Sequence, residues 1–241
     1  MIEELLPSGA VAEDTFTDAT DDPASVLFPE EADRIARAVP RRQREYATVR
    51  VCARRALGRL GYAPVPLLSS KRGAPQWPAG VVGSMTHCQG YRAAVVARAG
   101  DLASIGIDAE PNGPLPEGVL DTIALPSEKE WIAGLSAAHP AVHWDRLLFS
   151  AKESVFKTWY PLTGLELDFD EAELTVDPVA GTFAARLLVP GPVVEGRRLD
   201  GFAGRWTVGN GLVVTAIALP LAPVPDEERG EEAYAHSPSG A

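Results

Sequence analysis

One pattern occurs twice along the chain: a stretch of helical periodicity is followed by several short stretches of strand periodicity. The first occurrence predicts a helix over residues 30–60 and strands over 81–85, 91–97 and 103–110. The second predicts helices over 127–138 and 144–159, then strands over 172–176, 182–189, 204–208 and 212–219. Asn210-Gly211, between the last two strands, is typical of a hairpin turn. The sequence therefore predicts an α+β fold of two similar halves, each with helices packed on an antiparallel sheet.

Composition divides the chain into four segments. We expect an acidic N-terminal segment (1–33), an N-terminal half (34–112), a C-terminal half (113–220) and a tail (221–241), with the Pro- and Gly-rich residues 111–118 as the joint. The tail is rich in Pro, Glu, Ser and Gly, a composition typical of disorder. The acidic segment either trails free or folds over the body, and Val11, Ala12 and Phe16 could then supply one edge strand.

Two carboxylates stand at the end of the strand predicted over 103–110. Residues two apart in a strand share a face, so Asp108 and Glu110 point the same way while Ile105 and Ile107 point into a core. A strand end that simply meets solvent is the structural alternative. The chemical interpretation is a paired carboxylate site.

A third carboxylate lies on the helix predicted over 144–159. Its apolar stripe consists of Leu148, Ala151, Val155 and Trp159. Glu153 and Lys157, four apart, share the opposite face, where they could be an ordinary exposed ion pair worth about 0.3–0.5 kcal/mol. Three carboxylates with no His or Cys in a ligand-like spacing instead favour an oxygen-preferring ion such as Mg²⁺ and disfavour zinc.

The net charge of −11 is unevenly distributed. Ten acidic and no basic residues precede Arg34, whereas residues 34–72 hold eleven basic residues and one acidic residue, Glu45. This cationic segment indicates a site for phosphates, extended by long-range attraction to an acidic protein partner. A solvated helix face is the structural alternative. Nucleic acid is not expected, because no recognisable binding motif accompanies the charge.

Composition also indicates a compartment. At 241 residues and 46% hydrophobic, the chain can bury a full core. The two cysteines, Cys52 and Cys88, give no disulfide framework, and no secretion signal or apolar run of about 20 residues is present. We therefore expect a cytoplasmic protein without a membrane span.

Four motifs, in order, resemble those of the 4'-phosphopantetheinyl transferases. The paired signature of that family is matched by Gly106-Ile107-Asp108 and Lys152-Glu153-Ser154-Val155-Phe156-Lys157. The larger, Sfp-type branch is matched upstream by Lys71-Arg72-Gly73-Ala74-Pro75-Gln76-Trp77-Pro78 and Ser84-Met85-Thr86-His87. Within it, Arg41-Arg42-Gln43-Arg44-Glu45-Tyr46 leading into Arg50-Val51-Cys52-Ala53-Arg54 is similar to the enterobactin-synthase type. The resemblance covers about residues 34–219.

The resemblance implies a fold and a reaction. The two halves would be related by a pseudo-twofold axis, with the metal site in the cleft between them. A serine hydroxyl of an apo acyl or peptidyl carrier protein would attack the β-phosphorus of coenzyme A, and 3',5'-ADP would leave. Mg²⁺, with Mn²⁺ as a substitute, would be held by Asp108, Glu110 and Glu153.

The resemblance also implies roles for particular residues. Asp108, Glu153 and Lys157 would be catalytic, with either Glu153 or a metal-bound hydroxide as the base that accepts the serine proton. The coenzyme A-binding set would comprise Arg42, Arg50, Lys71, Arg72, Gly73, Ala74, Thr86, His87, Asp108, Lys152, Glu153 and Lys157. The resemblance does not distinguish which of these arginines binds which phosphate, because this segment varies in length across the family. The branch is usually monomeric and serves fatty acid, polyketide and nonribosomal peptide synthesis.

Two other classes compete with this interpretation. A non-catalytic module that binds coenzyme A or a carrier protein needs the cationic segment but not all three carboxylates. A cysteine acyltransferase or hydrolase is suggested by the adjacency of His87 and Cys88, but neighbouring strand residues point to opposite faces and cannot form a dyad. The Gly-x-Ser-x-Gly nucleophile motif is absent from the sequence.

Overall fold

The computed structural model describes residues 1–70 and 73–221. Its helices are α1 (Pro29–Ile35), α2 (Pro40–Arg59), α3 (Val119–Ile123), α4 (Pro126–Ala138) and α5 (Trp144–Thr163). Its strands are β1 (Val11–Thr15), β2 (Val81–Cys88), β3 (Tyr91–Arg98), β4 (Leu102–Pro111), β5 (Ala172–Asp177), β6 (Thr182–Leu187), β7 (Val193–Val194), β8 (Arg197–Arg198), β9 (Gly201–Gly209) and β10 (Leu212–Pro220). The predicted tail lies, from residue 222 onward, outside the described residues. None of the helices formed by the described residues is long and apolar enough to cross a membrane.

The strands form antiparallel sheets. One sheet has the order β1-β3-β2, a second has the order β4-β10-β9-β6-β5, and β7 and β8 form a small ribbon. The turn between β9 and β10 is the predicted Asn210-Gly211 hairpin, and both residues have positive φ, at 52° and 73°. Together with the helices, these sheets confirm the predicted α+β class; the pseudo-twofold relation and the segment boundaries stay predictions.

Buried side chains fill three spaces between four layers. Helix α2 packs on one face of the three-stranded sheet, and the other face of that sheet packs on the five-stranded sheet through residues of β3, β4 and β10. Helices α4 and α5 cover the far face of the five-stranded sheet. Strand β10 shows the alternation that this requires: Val213 and Ile217 lie in the core against α5, whereas Val214 and Ala216 lie in the core between the sheets.

The predicted helix over residues 30–60 is two helices. Helix α1 ends at Ile35 and α2 begins at Pro40, with Val39 extended at φ −62° and ψ 151°. Proline suits the first position of a helix but disfavours a helical conformation in the preceding residue. Pro40 therefore starts α2 and separates it from α1.

The acidic N-terminal segment folds over the body. Strand β1 pairs with β3 from Val11 opposite Val96 to Thr15 opposite Arg92, which confirms an edge strand in this segment. Phe16 follows the strand and contacts the ring of Tyr91 at a centroid distance of 5.2 Å. Ile2 and Leu5, on a 3₁₀ turn before β1, are buried between the sheets.

Strand β4 does not continue the meander that β2 and β3 begin. Its backbone ladder runs to β10, which pairs Asp108 with Thr215. Towards β2, two backbone N–H groups of β4 donate to side-chain hydroxyls: Ile107 to Ser84 (3.1 Å) and Ala109 to Thr86 (3.2 Å). The hydroxyls replace a backbone ladder here, so β4 belongs to the second sheet while its edge stays beside the first.

Candidate active site

A glycine lets helix α5 lie directly on strand β4. A Cβ atom at Gly106 would collide with the carbonyl oxygen of Ser154 and with the hydroxyl of Thr158. Two residues earlier, on the same face of the strand, the Ser104 hydroxyl donates to the Thr158 carbonyl at 2.9 Å. This close approach brings the carboxylates of β4 next to the acid and the cation of α5, as the two motifs predicted.

Asp108 is buried, and its two oxygens have different surroundings. Oδ1 accepts from Lys157 Nζ at 2.7 Å and from the Thr86 hydroxyl at 3.1 Å. Oδ2 is also buried but has no hydrogen-bond partner among the described residues. Because an unpaired buried carboxylate oxygen is costly, Oδ2 is suited to receive a ligand that supplies positive charge.

Glu110 lies two residues further along the same face. Its Oε2 accepts from Arg146 Nη1 at 3.1 Å, and Arg146 also donates to the carbonyls of Gly113 and Pro114. Burial raises the pKa of Glu110, the negative charge of Asp108 raises it further, and Arg146 opposes both effects. Arg146 therefore anchors the loop after β4 while it orients Glu110.

Glu153 projects from α5 towards the same region. Burial raises its pKa; Lys157 lowers the pKa and the negative charge of Asp108 raises it. Lys157 donates to the Ile107 carbonyl at 3.0 Å in addition to Asp108, so it bridges α5 and β4. Asp108 thus affects the pKa of both other carboxylates, which means that the three side chains share one electrostatic environment.

The three carboxylates do not form a closed ligand cluster as they stand. Within residues 1–70 and 73–221, no three Asp, Glu, His or Cys side chains converge closely enough to hold a metal ion. Mg²⁺, however, commonly takes one or two carboxylates together with water and substrate phosphates. The unpartnered Oδ2 of Asp108 and the all-oxygen donor set fit such an open site.

A cleft of about 690 Å³ opens beside these residues. The predicted Gly73 and Ala74 line it on one side, Ser84 of β2 on another, and Glu153 and Lys157 of α5 on a third. Its remaining walls are mostly apolar and include Trp77, Val82, Met85, Phe156 and Tyr160. The predicted Lys71 and Arg72 immediately precede this wall but lie outside the described residues.

Lys152 points away from the cleft. Its Nζ lies 2.9 Å from Glu128 Oε2 and donates to the carbonyls of Phe169 (2.6 Å) and Ala172 (3.0 Å). Burial lowers its pKa, and the hydrogen bond to Glu128 opposes that shift. Lys152, which was predicted to bind coenzyme A, therefore donates to acceptors inside the protein and joins α5 to α4 and β5.

Two of the predicted arginines, Arg42 and Arg50, lie within the described residues, and they differ in exposure. Arg42 is exposed, with Nη1 4.0 Å from Glu45. Arg50 is only 3% exposed, stacks on the Tyr46 ring and donates to the Leu67 carbonyl at 3.0 Å. Burial lowers the pKa of Arg50 to about 10. Arg42 is thus accessible to a ligand from solvent, whereas Arg50 supports the loop that leads to the cleft.

His87 and Thr86 lie on opposite faces of β2. The Thr86 hydroxyl serves Asp108, whereas His87 faces α2 with Nε2 3.9 Å from Glu45. Burial, followed by the positive charge of Arg42, lowers the pKa of His87 to about 4. His87 is therefore neutral at pH 7 and acts as a hydrogen-bonding group.

Cys88 and His87 do not form a nucleophile–base pair. The Cys88 thiol lies 3.7 Å from the Gln89 carbonyl, and burial raises its pKa to about 12. A thiol with that pKa yields almost no thiolate at neutral pH. The cysteine-enzyme alternative therefore has no geometric support.

Four residues that support the site were not predicted from the sequence: Glu45, Arg92, Glu128 and Arg146. Arg92, Glu128 and Arg146 act through partners that are distant in the chain (Asp18, Lys152 and Glu110), so periodicity gives no signal for them. Glu45 alone had a signal, because it is the one acidic residue among eleven basic ones in residues 34–72.

Comparison with known proteins gives a consistent result across the chain. A family model described as "4'-phosphopantetheinyl transferase N-terminal domain" matches residues 30–97, and one described as "4'-phosphopantetheinyl transferase superfamily" matches residues 104–208. The 4'-phosphopantetheinyl transferase Svp of Streptomyces mobaraensis is 73% identical over 97% of this chain and 95% of its own length.

Two more distant relatives are also similar to this chain. The 4'-phosphopantetheinyl transferase PptT of Mycobacterium tuberculosis is 45% identical over 91% of this chain and 98% of its own length. Enterobactin synthase component D of Escherichia coli O157:H7 is 37% identical over 48% of this chain and 54% of its own length. These similarities, together with the β4–α5 site, show that the chain belongs to the 4'-phosphopantetheinyl transferase superfamily.

Proposed function

We propose that this enzyme transfers the 4'-phosphopantetheine group of coenzyme A to a serine of an apo acyl or peptidyl carrier protein, in a Mg²⁺-dependent reaction at Asp108, Glu110 and Glu153. The serine oxygen forms a bond to the β-phosphorus, the bond from that phosphorus to the bridging oxygen breaks, and 3',5'-ADP leaves. The observation that supports this site most directly is the buried, unpartnered Oδ2 of Asp108 beside Lys157 and the cleft.

The cleft accounts for substrate binding. Its apolar walls suit the pantetheine arm, and Gly73 and Ala74 allow close approach near the adenine. Arg42 and the neutral His87 supply donors for the 3'-phosphate and the diphosphate. Lys71 and Arg72 remain proposed partners of these phosphates from the motif alone. We do not extend this role to Arg50 or Lys152, whose donors have internal acceptors.

Lys157 and Glu153 have complementary roles in the reaction. Lys157 lies where it can leave Asp108 for the pyrophosphate and stabilise the charge that the leaving group gains. Glu153 takes the proton of the serine hydroxyl, directly or through a water. A bound Mg²⁺, held by Asp108, Glu110 and Glu153, would supply Lewis-acid stabilisation of the pyrophosphate charge.

The intact mass of an apo carrier protein tests the proposal. After incubation with this enzyme, coenzyme A and Mg²⁺, we expect the carrier to gain one phosphopantetheine mass; a chelator should prevent the gain. Glu153→Gln should slow transfer by about 100-fold or more, the usual contribution of a general base. Glu130→Gln, an exposed change on α4, is the matched control and should react as the wild type does.

The competing function is a non-catalytic coenzyme A or carrier-protein-binding module. It predicts that coenzyme A binds but that no carrier gains mass, whether acyl or peptidyl. That result, with wild-type protein folded and Mg²⁺ present, would contradict the proposed function. The monomeric state and cytoplasmic location expected from the family resemblance stay predictions, and light scattering tests the first of them.

A further inference from the structure

One buried carboxylate lies among the cations of the proposed phosphate site. Glu45, on α2, is 7% exposed. Its oxygens lie 4.0 Å from Arg42 Nη1, 3.9 Å from His87 Nε2 and 3.7 Å from Arg92 Nη2. Arg41 Nε donates to it at 2.9 Å. Glu45 therefore contacts groups from α2, β2 and β3 at once.

Arg92 and His87 are placed together by the sheet. They are directly opposite each other in the β2–β3 ladder, where paired side chains on one face lie about 5 Å apart. Arg92 is almost fully buried, and its Nε has no hydrogen-bond partner among the described residues. It thus brings a further cation with an unused donor to the face that His87 occupies.

The acidic N-terminal segment completes the arrangement. Asp18 Oδ1 lies 2.7 Å from Arg92 Nη2, and Asp18 Oδ2 accepts from Arg44 Nε at 3.3 Å. Asp18 Oδ1 and Glu45 Oε1 thus both lie beside the same atom, Arg92 Nη2. The family model of the N-terminal domain begins at residue 30, so this contact comes from a part of the chain that precedes it.

We propose that the Asp18–Arg92–Glu45 network is a positioning device for the phosphate end of coenzyme A: Glu45, which lies beside both Arg42 and His87, keeps these two phosphate donors in place, and Asp18 fixes Arg92 beside them. Glu45 and Asp18 act through Arg42, His87 and Arg92 and do not touch the ligand. The inference rests on the proposed function, because it takes Arg42 and His87 as phosphate ligands.

The sign of the effect separates positioning from simple electrostatics. If Glu45 acted only as a nearby negative charge, its neutralisation would strengthen the attraction of a phosphate. If Glu45 holds the donors in place, its neutralisation frees them and weakens binding, because the ligand must then order those side chains itself.

Calorimetric titration of the folded, full-length enzyme with coenzyme A and with 3'-dephospho-coenzyme A measures this effect without turnover. For Glu45→Gln we expect the Kd of coenzyme A to rise about tenfold, the size of one charge-assisted hydrogen bond, and that of 3'-dephospho-coenzyme A to change less than about twofold. Glu45→Asp keeps the charge but shortens the reach, and should recover only part of the loss.

Two further variants keep the test decisive. Glu13→Gln removes an exposed ion pair with Arg59 on the same side of α2 and should leave both Kd values unchanged. Asp18→Asn, at the edge of the network, should raise the Kd of coenzyme A about threefold. This variant replaces Glu45→Gln in the test if Glu45→Gln fails to fold.

Tighter binding of coenzyme A by Glu45→Gln, or equal losses for the two ligands, would overturn the inference. If the wild type modifies its carrier and no variant changes the ratio of the two Kd values, for coenzyme A and for 3'-dephospho-coenzyme A, the inference is overturned while the proposed function stands. Failure of the wild type to modify any carrier would instead overturn the proposed function.

Discussion

At the scale of single residues, the site depends on a buried carboxylate that has one hydrogen-bonded oxygen and one oxygen without a partner in the described part of the chain. Asp108 gives one oxygen to Lys157 and Thr86 and leaves the other without a partner among the described residues. Lys157 donates to Asp108 Oδ1 and to the Ile107 carbonyl. These hydrogen bonds fix the charged groups in place, which reduces the reorganisation needed at the moment of reaction.

The contribution of His87 to stability should depend on pH. Its folded pKa of about 4 lies below its ordinary value of 6.5, so the unfolded chain binds the proton first. The contribution of His87 to stability is fully present above about pH 6.5 and is lost as the pH falls through about 4. NMR titration, with His87→Gln to identify the signal, should show the low pKa in the free enzyme.

Coenzyme A should raise that pKa, because a phosphate beside the imidazole favours the charged form. 3'-Dephospho-coenzyme A is the matched ligand and should raise it less. A free-enzyme titration near 6.5 would contradict the burial and the cationic surroundings described for His87.

At the scale of secondary-structure elements, the site exists because α5 rests directly on β4. Gly106 permits the approach, Ser104 fixes it with a hydrogen bond, and Lys157 crosses from helix to strand. On the other edge of β4, Ser84 and Thr86 bind its N–H groups and tie the two sheets together. The position of Asp108 is thus set by three elements.

Gly106→Ala tests that contact. The added methyl group would meet the backbone of α5 and force helix and strand apart, at a cost of about 1–3 kcal/mol in the free energy of unfolding. The rate of carrier modification should fall by more than the loss of folded protein explains, because Lys157 moves away from Asp108. Urea unfolding and the transfer rate measure the two effects.

Gly134→Ala is the matched control. Gly134 lies on α4 with open space around its Cβ direction, so alanine should stabilise the enzyme by about 0.5–1 kcal/mol and leave transfer unchanged. A Gly106→Ala enzyme with wild-type stability and rate would show that the close approach is not required.

Lys152 tests whether a motif residue serves the fold or the ligand. Lys152→Met should destabilise the enzyme by about 3–5 kcal/mol, because it leaves Glu128 buried without its counter-ion. Adding Glu128→Gln should restore much of that loss, since the remaining buried group is then neutral. Denaturant titration of the four proteins of this cycle gives the coupling.

The affinity for coenzyme A distinguishes the two roles of Lys152. If the lysine is an internal anchor, the double variant should bind coenzyme A as the wild type does. A double variant that is stable but has lost affinity would show that Lys152 reaches the ligand after all.

At the scale of the whole molecule, the N-terminal segment is part of the enzyme body. It contributes a strand to one sheet, two buried side chains, Ile2 and Leu5, to the core between the sheets, and Asp18 to the cationic face. Its acidic charge is therefore used locally, against the basic helix α2. The cationic segment is consequently less available to a ligand than the sequence alone suggests.

The sequence predicted local features well and long-range partners poorly. Period-two and helical patterns located β4 and α5, and the Gly-Ile-Asp and Lys-Glu-Ser motifs brought Asp108, Glu153 and Lys157 to one place. The pairing of β4 with β10, the anchoring of Lys152 by Glu128 and the clamp of Arg146 on Glu110 had no local signal. Such partners are chosen by packing, which joins residues far apart in the chain.

Mn²⁺ binding measured by electron paramagnetic resonance tests whether Asp108, Glu110 and Glu153 hold one divalent cation, as proposed. Titration in the presence of coenzyme A should show one bound Mn²⁺ per wild-type chain. Asp108→Asn should weaken that binding by about tenfold or more, as expected for loss of a charged ligand. Wild-type Mn²⁺ affinity in a folded Asp108→Asn variant would show that Asp108 is not a ligand of the cation.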